Sequence, residues 1–177
     1  ALSYEIAAKK NRLAYLTGEA TNSGDPLLHG PASVYHNQDY AGESIIQTTG
    51  NGEAFRLYLG ADEDLAVERS VQDFRERAGL LGGDFRYKRK VSVSIANRKR
   101  IAAKITLLER IPVSSDENLK IEGIQFSRNP DRRDPSGLLA FDLNLPAGSK
   151  DSTRIEYNVR YPARTRPAYR EEGAPTW

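Results

Sequence analysis

The two histidines of the chain, His29 and His36, fall in one stretch, PLLHGPASVYHNQDYAGE at residues 26–43, with Asp39 and Glu43 close by. Imidazoles beside carboxylates raise the chemistry of a zinc hydrolase, which needs three protein ligands and an open position for water. The spacing argues against it. If Ser33 to Tyr35 is a strand, the two imidazoles stand at its opposite ends, roughly 20 Å apart at ~3.3 Å per residue. One ion does not bridge that gap, and neither HExxH nor HxxE occurs. Surface or capping histidines are the better reading, and a metal-dependent hydrolase at the His29/His36 corner is the most distant alternative.

Other groups give no stronger signal. Asp62-Glu63-Asp64 lacks the alternation and the glycine of a calcium loop. Asp131 and Asp134 flank two arginines and read as turn residues. Nothing singles out two of the 24 acidic residues as a facing glycosidase pair. Ser114-Ser115-Asp116 has no histidine nearby in sequence, and the glycines of GNGEAF and GLLGG fit no phosphate-binding loop. The absence of cysteine excludes disulfides, thiolate zinc sites and thiol nucleophiles. The chain therefore reads as non-enzymatic, with no catalytic residue, no metal and no cofactor.

The best binding candidate is a basic block. Residues 86–110 hold nine Lys or Arg and one acid, whereas residues 1–85 hold seven basic and 13 acidic side chains. Lys88, Lys90, Arg98, Arg100 and Lys104 are expected on one outer face of a hairpin. Such a face attracts acidic polysaccharide or an acidic protein surface. Nucleic acid is disfavoured, because the outward positions lack the aromatics whose stacking on bases is worth roughly 1–3 kcal/mol each. The simplest reading of the same charges is a solvated face that discourages edge-to-edge aggregation.

The elements that would carry these residues are strands. In FRYKRKVSVSIAN, Tyr87, Val91, Val93 and Ile95 share one parity, and Arg86, Lys88, Lys90, Ser92 and Ser94 the other. A strand sends alternate side chains to opposite faces, so one face is apolar and the other basic. After the polar turn Asn97–Arg100, the alternation returns in Ile101, Ala103, Ile105 and Leu107, and again in LKIEGIQF, LLAFDLNL and RIEYNVRY. Five such strands joined by short turns predict an antiparallel β-sandwich of the immunoglobulin or fibronectin kind. Residues 1–69 are also β-rich: Leu2, Tyr4 and Ile6 alternate, as do Phe55, Leu57 and Leu59, and Asn51-Gly52 marks a tight turn. Val67, Val71, Phe74, Ala78 and Leu81 instead follow a helical stripe. That predicts a strand to about Arg69, then a connector with a helical turn or two. The fold class is thus all-β: a β-rich first part over residues 1–84, a sandwich over 85–163 and a tail over 164–177, with Tyr169 and Trp177 as its anchors.

No apolar run reaches the roughly 18–20 residues that span a bilayer. Methionine is absent, position 1 included, which predicts a processed product or an excised piece.

The order PLLHGPASVY, YAGES, GEAFRLYLGADEDLAVER, GLLGG, YKRKVSVSIANRK, LLERIPVSSDENLKIE and LNLPAGSKDSTRIEYNVRYP resembles the C-terminal domain of the mucoidy-inhibitor-A-like family of bacteria, from about Tyr15 to Pro162. His29 departs from it, since the corner more often has proline there. The resemblance implies a β-sandwich module that follows an N-terminal β-domain and a coiled coil. It implies no enzymatic activity, cofactor or catalytic residue. The family name suggests the cell envelope, which slightly favours a periplasmic or envelope location. The expected function is a non-catalytic interaction module that binds another protein, other domains of a longer chain or an envelope polymer. The alternative is binding of acidic polysaccharide through the basic 86–104 segment. The interaction reading expects a sizeable apolar or aromatic patch on the surface.

Overall fold

The computed structural model describes residues 2–36, 39–78 and 83–162. Among them, every regular element is a strand. In chain order these are β1 (Leu2–Ile6), β2 (Ala14–Thr21), β3 (Gly30–His36), β4 (Asp39–Ile46), β5 (Ala54–Ala61), β6 (Leu65–Ala78), β7 (Asp84–Asn97), β8 (Ala103–Arg110), β9 (Lys120–Phe126), β10 (Arg132–Arg133), β11 (Leu138–Leu145) and β12 (Lys150–Pro162).

Burying one parity of each strand requires a second sheet to cover it. The result is a sandwich. A six-stranded sheet, ordered β10-β11-β8-β1-β2-β5, packs on a four-stranded sheet, β6-β7-β12-β9. Ile105, Leu107, Phe141 and Leu143 of the first meet Val91, Val93, Ile95, Ile155 and Tyr157 of the second in one core. The strands β3 and β4 form a separate two-stranded arm beside β5, where the Tyr58 backbone N–H donates to Ser44 Oγ at 3.2 Å. Neighbours pair antiparallel with one exception: β1 runs parallel to β8, with Tyr4, Glu5 and Ile6 opposite Ile105, Thr106 and Leu107.

Three features differ from the expectations. First, β6 runs unbroken to Ala78, in register with β7 along its whole length. Val67 and Val71 lie on its inner face and Phe74 on its outer face, and two apolar sets on opposite faces imitate a helical stripe. The inner positions Arg69 and Asp73 hide the true period of two because they are charged. Leu81, the last residue of that stripe, lies outside the described residues. Second, the turn after β7 does not close a hairpin. β7 and β8 belong to different sheets and bring their apolar faces together across the core. The buried Asn97 fixes this crossover: its side-chain amide donates to the carbonyls of Ile101, Leu145 and Pro146 at 2.9–3.0 Å, and its Oδ1 accepts the Lys99 N–H. Third, the sheets are not divided at residue 84. β1, β2 and β5 share a ladder with β8, and β6 pairs with β7. The tail, with Tyr169 and Trp177, lies outside the described residues.

The inner faces also carry charge. Glu109, on β8, has a side chain only 1% exposed, and Arg69, on β6, reaches it across the sandwich through Nε at 2.7 Å and Nη2 at 3.2 Å. Beyond this pair Arg89 donates to both Asp73 oxygens, at 2.8 and 3.0 Å, and to the Tyr87 hydroxyl at 2.6 Å.

Two outcomes follow for stability. Phe141 is fully buried and meets Phe126 edge to face, so Phe141→Ala is expected to cost about 3–5 kcal/mol in denaturant unfolding. Glu109→Ala leaves the Arg69 charge without its carboxylate and is expected to cost about 3–5 kcal/mol, whereas Glu109→Leu with Arg69→Met recovers most of that loss. Equal losses in the single and double variants would show that the pair does not act as a unit.

Candidate functional site

The histidine corner comes apart in three dimensions. His29 is exposed before β3 and His36 closes the same strand, so β3 separates them. The side chains of His36 and Asp39 lie outside the described residues. Among the described residues no group of three or more His, Asp or Glu side chains is placed to hold a metal ion. The Ser114–Asp116 stretch leads into the turn at 117–118: Ser114 Oγ accepts the Asp116 N–H and Asp116 Oδ1 accepts the Asn118 N–H. Asp134 caps another turn by accepting from the Ser136 and Leu138 backbone and the Ser136 hydroxyl. These bonds, the hydroxyl one most of all, hold its carboxyl below the usual range.

The five basic residues divide among three places. Lys88 and Lys90 lie on the outer face of β7, and both reach Glu156 of β12, at 3.2 and 3.4 Å. Partial burial pushes the Glu156 carboxyl up, but the two ammonium groups outweigh it and hold it low. Arg98 and Arg100 are exposed in the crossover between the sheets, and Lys104 is exposed on β8 in the other sheet. The outer face of β7 is therefore a ladder of matched charges, continued by Arg86 between Glu76 and Glu122.

The sandwich opens at a different place. The inward parity of β5, Phe55, Leu57 and Leu59, is only half-buried, because the four-stranded sheet does not reach that far across its partner. A groove of about 870 Å³ follows. Its floor comes from Leu2 and Tyr4 of β1, Leu16 of β2 and Leu59 of β5; Tyr40 of β4 forms one wall, and Lys99 and Ile101 of the crossover form another. Leu2 and Leu59 close over Gly18, where an added Cβ would touch both at 3.4–3.5 Å. Three large apolar side chains stand open in this one groove: Leu2 at 60%, Tyr40 at 58% and Ile101 at 66% exposure. Lys104 is the one member of the predicted basic set that lines it.

A charged triad anchors the crossover to the floor. The Tyr4 hydroxyl donates to Asp62 Oδ2 at 2.7 Å, and Lys99 Nζ donates to the same oxygen at 2.5 Å. Burial raises the Tyr4 hydroxyl, and the Asp62 carboxylate raises it further. Burial also pushes Asp62 up, but the bonds from Lys99 and Tyr4 prevail and hold it below the ordinary aspartate value. The bond to Asp62 raises Lys99. All three groups keep one protonation state across neutral pH, so they fix geometry and charge without passing a proton. The second titratable cluster is of the same type. Burial, then the Asp73 carboxylate, pushes Tyr87 up to about 12, while its bonds to Arg89 and Tyr87 outweigh burial and hold Asp73 low.

The groove was not foreseen in the sequence. Its exposed residues come from positions 2, 40 and 101, each of which reads locally as an ordinary strand or turn residue.

Residues 3–163 match a family model described as Domain of unknown function (DUF4139). No curated protein and no solved structure matches the chain.

The triad sets a pH signature. A carboxyl lowered on folding contributes stability above its unfolded value and loses it as pH falls through the folded one; a raised lysine contributes below its unfolded value and loses it as pH rises through the folded one. The stability lost in Asp62→Ala is therefore expected to stay level between about pH 5 and pH 10 and to shrink on either side. Unfolding of both proteins across that range measures it, and a difference that peaks near pH 7 would refute the assignment.

Proposed function

The chain belongs to the family described as Domain of unknown function (DUF4139), and on that footing we propose that it is a non-catalytic interaction module that seats an apolar segment of a partner protein in the groove over β1, β2 and β5. One observation carries this reading: Leu2, Tyr40 and Ile101, far apart in sequence, stand exposed together around one concave site. Soluble domains rarely leave large apolar side chains clustered without a use for them. Apolar contacts would supply the affinity, and Lys104 with the acidic Glu63 and Asp64 on the rim would orient the bound segment. The fixed charge states of Tyr4, Asp62 and Lys99 support a surface that holds rather than a site that reacts.

The finer resemblance to mucoidy-inhibitor-A-like proteins belongs to the same proposal. It makes the module part of a larger bacterial protein, with the cell envelope as its setting. Polyanion binding is the second reading. It is favoured by the exposure of Arg98, Arg100 and Lys104 around the crossover and weakened by the Glu156 carboxylate between Lys88 and Lys90.

The test is selection of peptides from a random displayed library, followed by amide shift mapping on the labelled domain. Peptides carrying apolar anchors are expected to shift resonances of β1, β5 and the crossover. Ile101→Asp is expected to weaken them about tenfold or more, with Lys90→Ser neutral. Peptides that map to the outer face of β7, or that ignore Ile101→Asp, would overturn the reading.

A further inference from the structure

Sheet edges present unpaired N–H and C=O groups to any passing strand, and proteins blunt them. Among the described residues, three of the four edges of this sandwich are blunted. The β3–β4 arm lies against β5 and takes its Tyr58 N–H. The two-residue β10 covers part of β11. β9 is short and breaks register with β12 between Glu156 and Asn158. The remaining edge, β6, is 14 residues long and keeps regular register with β7 throughout. Beyond Arg69, Asp73 stays bound to Arg89, but Ser70, Val71, Gln72, Phe74, Arg75 and Glu76 are all exposed, and Phe74 is a whole aromatic ring at 53% exposure.

The residues of this edge complement one another about its own midpoint. An antiparallel partner related by a two-fold axis normal to the sheet places residues of equal parity opposite each other, on the same face. With the axis at Phe74, its ring meets its own copy. On the same outer face Gln72 falls opposite Glu76, and on the inner face Asp73 falls opposite Arg75, each twice by symmetry. Moving the axis to Gln72 instead sets Glu68 against Glu76 and Arg69 against Arg75, two like-charge clashes. Axes at Asp73 or Arg75 set each of those charges against its own copy, whereas the axis at Phe74 opposes no like charges.

We infer that β6 pairs with β6 of a second copy about an axis at Phe74, which joins two four-stranded sheets into one of eight. The inference is independent of the groove, which lies at β1, β2 and β5. The guanidinium of Arg75 already lies over the Phe85 ring at 4.0 Å, which holds it against the sheet near the edge.

Sedimentation from about 1 to 200 µM reads the association. Two opposite changes at the exposed Gln72 test the register. Gln72→Lys sets an ammonium against Glu76 and is expected to tighten the dimer about threefold or more, and Gln72→Glu to loosen it by a similar factor. Cysteine is absent from the chain, so single replacements report position without background. Opposed Cα atoms about 4.5–5.5 Å apart lie within disulfide reach. Phe74→Cys is therefore expected to give a covalent dimer on mild oxidation, with Ser70→Cys as the control that does not. A monomer at every concentration, equal cross-linking at 70 and 74, or indifference to the charge at 72 would overturn the inference.

Discussion

The contact between Glu109 and Arg69 sets the terms for the rest of the sandwich. A carboxylate buried this deeply cannot persist without a partner that supplies both charge and hydrogen bonds. Arg69 supplies them from the opposite sheet, through two bonds. The pair therefore fixes how β6 and β8 sit across the core. It also marks where the core changes character. On one side lie Val67, Ile95, Ile105 and Leu107, all buried. On the other, Asp73, Tyr87 and Arg89 form a polar network.

With that alignment fixed, two sheets of unequal width cannot cover each other. Surplus inner face remains at β5, where the groove forms, and the distal half of β6 runs past the pair into solvent. Both of the surfaces proposed for partners thus arise from one mismatch in sheet size and placement. The buried asparagines serve the same geometry. Asn97 ties the crossover to the β11–β12 turn, and Asn22 ties the loop after β2 to the carbonyls of Asp25, Thr49 and Gly50.

Much of this was legible in the sequence. The alternations at Val91–Ile95, Leu139–Leu145 and Ile155–Val159 identify strands and their buried faces, because a period of two has one cause in an apolar segment. The same alternation does not say which sheet a strand joins, so β7 and β8 read as a hairpin when they face each other across the core. β6 misled for a different reason: its inner face carries Arg69 and Asp73, whose burial depends on partners far away in sequence, at Glu109 and Arg89. Charges mark a surface only until they are paired. The groove was invisible because its walls meet only in three dimensions.

The parallel contact of β1 with β8 has a bearing on synthesis. β1 stands between β8 and β2, so these five residues form the seam that joins β2 and β5 to the rest of the wide sheet. Leu2 to Ile6 leave the ribosome well before their second neighbour, Ile105 to Leu107, so the seam stays open over that interval. Until then the paired β1, β2 and β5 must wait half-clothed, with an oily flank in need of shelter, and the wide sheet closes late.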